Sequence, residues 1–285
     1  MQTVAIITDS IAGLPKEMAE SYGITIVPIR LMVGGKVYRD SIDMTSAEAY
    51  KFLEQEPESF NTSPSSPGHY LEAFCEASQK AKNILCITLS SGLGTGYNAA
   101  LLAKEQAEAE LPNVKIEVMD SRNATAAEGF IALAAARAAA EGKNMAEVAA
   151  AAERVKARVT FIVYLDTMKH VYRTGRVPKI ASQLGSALNI KPILTISDGL
   201  MHLKGIARNR EHGVSRILHE MREKVGQKPA HIAVMHADVP DEAERLKARV
   251  AAEFNCAELW ITEFSPVMGY ATGKGTLGFA FYAED

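Results

Sequence analysis

The sequence predicts an α/β protein in two parts: an N-terminal three-layer α/β/α domain with a largely parallel sheet over residues 1–158, and a C-terminal α+β domain with a mixed sheet over 159–285. Three observations carry this. Up to Ala157, short apolar runs alternate with helical stretches, the pattern of βαβ units that build a parallel sheet between helix layers. Beyond it, a hairpin signal at Asp198-Gly199 and closely spaced strand runs break that alternation. A chain of 285 residues, 47% hydrophobic and 23% charged, also has enough apolar material for one large or two smaller cores.

Val4 to Ile7 reads as a buried strand, Pro15 to Tyr22 as a short helix with proline in its first turn, and Thr25 to Val33 as a second strand ending at Gly34-Gly35. Lys36 to Tyr38 returns as a hairpin arm. Thr45 opens a helix through about Glu54, with Glu48 placed to complete a capping box. Three prolines and many serines make Glu56 to Gly68 a loop. There follow a helix over His69 to Lys82, a strand over Asn83 to Leu89, a helix over Tyr97 to Glu110 and a strand over Val114 to Met119. Two alanine-rich helices follow, Ala124 to Glu141 and Met145 to Ala157, parted by Gly142. Glu128, Arg137 and Glu153 interrupt them, so the alanines suit close packing inside a water-soluble fold rather than a membrane span.

In the second part Val159 to Tyr164 is a strand, and Met168 to Leu188 mixes basic residues with helical spacing. Pro192 to Ile196 and Met201 to Ala207 form the hairpin. A helix from about Val214 to Val225, a strand at His231 to His236, a helix at Pro240 to Phe254 and strands at Glu258 to Phe264 and Thr276 to Tyr282 complete it.

A formal charge of −3 gives no global attraction to polyanions, so nucleic acid is not an expected partner. Cys75, Cys86 and Cys256 are odd in number, widely spaced and without a CxxC pair. They fit reduced thiols rather than a disulfide framework or a zinc site, and the seven histidines have no metal-like spacing. The N-terminus has no secretory pattern and no apolar run reaches membrane-spanning length, so the expectation is a cytoplasmic protein without a transmembrane segment, metal or cofactor.

Three hydroxyl-rich turns stand out: Thr8-Asp9-Ser10, Thr62-Ser63 before Pro64, and Ser90-Ser91-Gly92, the first and third directly after strand runs. Ligands of open α/β sheets bind beyond the carboxyl ends of the strands, so such turns can converge on one small anionic group and hold it with neutral donors. Each also fits an ordinary strand-end turn or helix cap, and Thr8-Asp9-Ser10 does so at least as well. The cluster Lys169, Arg173, Arg176 and Lys179 reads first as a solvated helical face and second as a docking surface for an acidic partner. From another class, Gly92-Leu93-Gly94-Thr95-Gly96 follows a strand and precedes Asp120 at a later strand end, the outline of an NAD(P)-dependent oxidoreductase. Tyr97 occupies the third glycine position of that fingerprint. No GxSxG elbow or GxxxxGK loop is present.

Taken in order, Thr8-Asp9-Ser10, Thr62-Ser63-Pro64-Ser65, Thr88 to Leu93, Asp120-Ser121, Tyr172 to Arg176, Lys191-Pro192-Ile193 with Asp198-Gly199, Arg208 and Gly269 to Gly278 resemble the motif series of DegV family proteins, across nearly the whole chain. The resemblance implies a bacterial lipid-binding carrier, not an enzyme, that clasps a long-chain fatty acid in a cleft between two α/β domains. It further implies, as in some members, a fatty acid kinase as partner that turns the carboxylate into an acyl phosphate. It places Thr62, Ser63, Ser91 and Gly92 at the carboxylate and Arg208 at the head group and phosphoryl transfer. Ser10, Ala271, Thr272 and Lys274 come into the head region. Two departures stand against the pattern: Leu93-Gly94-Thr95-Gly96-Tyr97 replaces the commoner Leu-Ser-Gly-Thr-Tyr, and Ala271 stands where relatives often carry histidine, with Lys274 a candidate substitute charge.

Overall fold

The computed structural model describes residues 3–174 and 190–284. Strand β1 (Ala5–Asp9) is fully buried and is followed by a single 3-10 turn at Ser10–Ala12, capped by the Asp9 side chain. Helix α1 (Lys16–Ser21) leads to β2 (Thr25–Val27), which pairs in parallel with β1. The single strand expected over Thr25 to Val33 is two. Proline 28, without an amide hydrogen, interrupts the ladder, and the chain turns away into β3 (Arg30–Val33), the centre of a small antiparallel sheet. Strand β4 (Lys36–Arg39) is its hairpin arm, and α2 (Ser46–Gln55) begins with the expected Thr45–Glu48 capping box. Its third strand, β5 (Phe60–Ser63), lies inside the segment expected to be loop: alternating Phe60 and Thr62 face the same side as Val33 and Leu31, so one aromatic anchor holds the strand despite loop-like composition.

Helix α3 (Pro67–Ser78), β6 (Asn83–Thr88), α4 (Gly96–Glu110) and β7 (Lys115–Asp120) complete a four-stranded, all-parallel sheet of order β2-β1-β6-β7. Helices α5 (Ala126–Ala140) and α6 (Met145–Lys156) follow. Twelve of the fifteen residues of α5 are buried. The reason is position: one side packs on β1 and β6, the other on β8 (Thr160–Tyr164) and the last strand of the second sheet. Alanine at most positions lets both sheets approach its axis, which side chains of leucine size would prevent.

After β8 come α7 (Lys169–Thr174), the hairpin β9 (Lys191–Ser197) and β10 (Leu200–Ala207), α8 (Arg210–Val225), β11 (Ala230–His236), α9 (Pro240–Glu253), β12 (Cys256–Glu263), α10 (Pro266–Thr272) and β13 (Leu277–Ala283). The six strands form a mixed sheet of order β10-β9-β8-β13-β11-β12. Helix α10 is absent from the sequence expectation, because Gly269 and Gly273 make the segment read as loop. Of the basic cluster expected on a helical face, Lys169 lies on α7 while Arg176 and Lys179 fall outside the described residues, as does Gly175. One hydrophobic core runs without a break from Val4, Ile6, Leu85 and Ile87 through α5 to Phe161, Val163, Met235 and Ala280. No described helix is long and apolar enough to cross a membrane.

Candidate functional site

The carboxyl ends of β1 and β6, the inner face of β5, and helices α7 and α10 surround two neighbouring spaces that share Ile11, Leu89 and Leu93 in their walls. The inner part is lined by Phe161, Val163, Leu194 and Met201 from the second sheet, Val171 and Thr174 from α7, and Met268, Ala271 and Thr272 from α10. It leaves about 60 Å³ for the centres of water-sized molecules, within about 630 Å³ of atom-free space that takes in open solvent. The two threonines do not make it polar: Thr174 Oγ1 donates to the Val171 carbonyl and Thr272 Oγ1 to the Met268 carbonyl, so both hydroxyls are turned into their own helices.

Ile11, Leu89 and Leu93 line this inner part and also a wider mouth shared with Asp9, Ile29, Thr62, Ser63, Pro64, Gly94, Thr95, Gly96 and Val267. Apolar walls thus lead inward from a rim of hydroxyls and backbone amides. In the β3–β5 ladder Thr62 stands opposite buried Leu31 and Ser63 opposite Arg30. Cross-strand partners share a face, so Thr62 is on the core side and Ser63 on the side of Arg30, whose Nη2 lies 2.6 Å from His69 Nε2. Ser63 Oγ donates to the Pro64 carbonyl at 3.3 Å.

The other sequence candidates are placed as follows. Ser91 is exposed, its hydroxyl donating to Asp120 Oδ2 at 2.6 Å and its amide to Oδ1 at 3.2 Å. The Gly92 amide donates to Ser90 Oγ, which itself donates to the Gly199 carbonyl at 2.7 Å and ties this turn to the β9–β10 hairpin. Those bonds use the groups a dinucleotide loop would need: Gly92 faces the hairpin, and Asp120, the residue expected at a ribose, accepts from Ser91 and Arg122. Ser10 Oγ donates to Asp40 Oδ2 at 2.6 Å and accepts from the Ile29 amide. Arg208 is exposed at the end of β10, its amide donating to His212 Nδ1. Lys274 pairs with Asp238 at 2.8 Å and reaches Glu54 at 3.8 Å; the Asp238 bond raises its pKa, so its charge is taken up at the surface. Ala271 and Thr272 reach the site through the inner wall rather than the rim.

Sequence reasoning undervalued Asp9. Its Oδ1 accepts from the Ile11 amide at 2.9 Å and its Oδ2 from the Leu89 amide at 3.0 Å, so it closes the strand-end turn and also stands in the wall of the mouth. Burial lifts its pKa to about 6 against those two hydrogen bonds, with the charge of Asp40 adding to the rise. Asp40, itself buried, is likewise lifted to about 6, while Ser10 and Ser41 donate to it. Behind them Glu128 of α5 is raised well above its usual value by burial and by Asp9, with only Thr8 Oγ1 donating to it. Tyr70 Oη, Thr88 Oγ1 and Glu128 Oε2 are buried in the same region without a hydrogen-bond partner among the described residues.

Comparison with known proteins fits this architecture. Residues 3–284 match the model of the family described as "Uncharacterised protein, DegV family". A DegV domain-containing protein of Streptomyces coelicolor is 31% identical over 280 residues, 96% of each chain, and one of Clostridium acetobutylicum is 30% identical over 287 residues, all of each chain. Among solved structures, a DegV family protein from Thermus thermophilus described for its fatty acid binding superposes with a TM-score of 0.90 at 26% identity, over 99% of this chain and all of that one. DegV of Bacillus subtilis, described as a fatty acid binding protein, gives 0.89 at 26% identity over the whole of both chains.

Proposed function

Since the chain belongs to the DegV family, we propose that it binds a long-chain fatty acid, tail in the apolar space between its two halves, 1–158 and 159–285, and carboxylate at the hydroxyl-lined mouth. The observation that carries this reading is the continuity of apolar wall from Thr62 and Ser63 past Ile11, Leu89 and Leu93 to Phe161 and Met201. Each methylene buried there contributes about 0.8 kcal/mol, so the tail supplies most of the affinity. A carboxylate drawn from water without donors would give much of that back. Thr62, Ser63 and the backbone amides of Thr95 and Gly96 offset this cost and fix which end of the ligand faces outward. Ser91 and Gly92 serve by releasing Asp120 and Ser90 and turning toward the ligand head.

The reading extends to carriage: no chemistry is required of the chain itself, and the outward-facing carboxylate is presented to a fatty acid kinase, with exposed Arg208 beside the transferred phosphoryl group. A cytoplasmic location suits that exchange.

Extraction and mass spectrometry of lipid that travels with the purified protein tests the first claim. A fatty acid in about equimolar amount is expected; protein that arrives lipid-free and takes up neither palmitate nor oleate overturns it.

A further inference from the structure

A site meant for an anion has a carboxylate in its own wall. Asp9 lies in the wall of the mouth that Thr62 and Ser63 also line, as does Gly96, the first residue of α4. A Cβ at Gly96 would stand 3.2 Å from Tyr70 Oη and 3.8 Å from Asp9 Oδ2. With hydrogen there instead, both side chains pack close against the start of α4, and of the two it is Asp9 that lines the mouth. Tyr70 is fully buried and its hydroxyl has no partner among the described residues.

The groups that face Asp9 do not neutralise it. Tyr70 comes from α3, Cys86 from β6, Glu128 from α5 and Asp40 from the end of the β3–β4 hairpin; two are carboxyls and two are neutral acids. Behind Glu128, Asp120 at the end of β7 adds a further negative charge. From β5 come only the hydroxyls of Thr62 and Ser63, and from β6 and the 3-10 turn the amides of Leu89 and Ile11. A second carboxylate arriving among these would place like charges side by side in a poorly hydrated space, where two carboxyls hold one proton between them rather than ionise together.

We propose, resting on the fatty acid reading above, that Asp9 is the specificity-determining residue of the mouth: the site takes a carboxylate only together with one proton from water, which Asp9 and the ligand head then share. Asp9 protonated is a hydrogen-bond donor to the bound carboxylate. A ligand with an uncharged alcohol head needs no such proton. The buried position that holds the Asp9 pKa near 6 in the empty mouth leaves it largely ionised at pH 7, so the uptake occurs on loading.

Calorimetry of palmitate and of hexadecanol binding at pH 7, each in two buffers of different ionisation enthalpy, counts the protons directly. About one proton is expected per palmitate and none per hexadecanol, with palmitate affinity falling about tenfold per pH unit above 7 and hexadecanol affinity level. Asp9→Asn is expected to abolish the uptake, while Asp40→Asn keeps it. Equal uptake in wild type and Asp9→Asn overturns the proposal and leaves the fatty acid reading standing. If Asp9→Asn does not fold, wild-type protein decides alone, since palmitate bound without proton uptake is equally fatal. Failure of wild type to bind palmitate at all overturns the fatty acid reading itself, and this inference with it.

Discussion

The Tyr50 hydroxyl donates to the Phe264 carbonyl at 3.0 Å, across 214 residues of chain, and the same ring lies against Gly269 of α10. A Cβ on Gly269 would fall 2.3 Å from the Tyr50 ring. Helix α10 carries Met268, Ala271 and Thr272 into the inner wall, so this one contact between α2 and α10 sets how wide that space is.

Gly269→Ala is therefore expected to push α10 off Tyr50 and to lower stability by about 1–3 kcal/mol, the usual cost of overpacking a rigid contact. Urea denaturation of lipid-free protein measures it, and an unchanged midpoint would refute the spacing role.

Filling the space from the other side separates tail from head. Ala271→Leu is expected to weaken palmitate at least tenfold while leaving decanoate within about threefold, because a shorter tail stops before the filled region and each displaced methylene forfeits about 0.8 kcal/mol. Equal loss for both lengths would show that the tail does not run past Ala271.

The rim divides unequally between its two hydroxyls. Thr62 shares the inner face with Leu31, so Thr62→Ala is expected to weaken palmitate about tenfold, in the range of a lost bond to a charged group. Ser63→Ala, on the face of Arg30, should cost less than about threefold. Affinity by displacement of a fluorescent fatty acid ranks them, and the reverse order would place the carboxylate on the outer face.

Asp40 governs a pH dependence of the fold itself. Its pKa is about 6 in the folded chain against an ordinary 3.8, so the folded state holds the proton more tightly than the unfolded. That contribution is complete below about pH 4 and is lost as pH rises through about 6. Asp40→Asn is expected to flatten the fall in melting temperature between about pH 4 and pH 6 relative to wild type, and an unaltered slope would assign the loss elsewhere.

With a fatty acid kinase supplied, Arg208→Ala is expected to lower acyl phosphate formation at least tenfold while palmitate affinity stays within about twofold. A matched loss of both would make Arg208 a binding residue instead.

Much of the fold was legible because its signals are local. The Thr45–Glu48 box, the Asp198-Gly199 hairpin turn and the alternation before Ala157 each depend on neighbours within a few residues, and each forms as read. What sequence alone missed was decided at long range. Strand β5 exists because Phe60 finds Tyr270 across the seam, at 5.4 Å between ring centroids, and α10 because Tyr50 and Phe60 hold it. At the mouth, Thr62 and Ser63 carry their hydroxyls openly in the sequence. Asp9 shows there only as part of a strand-end turn, Gly96 only as the last glycine of a dinucleotide-like loop, and Tyr70 only as one position of a helix. Only the fold brings the three together.

The alanine helix α5 has a mechanical consequence. A carrier hinged between independent jaws could swing open to exchange its cargo, but here a single rod is wedged against both sheets. Parting the halves would expose that rod and split the core it shares with both sheets, while the separate cores on the far side of each sheet would stay packed. On the fatty acid reading, a ligand would instead pass the strand-end turns at the mouth and the short helices α7 and α10 of the inner wall.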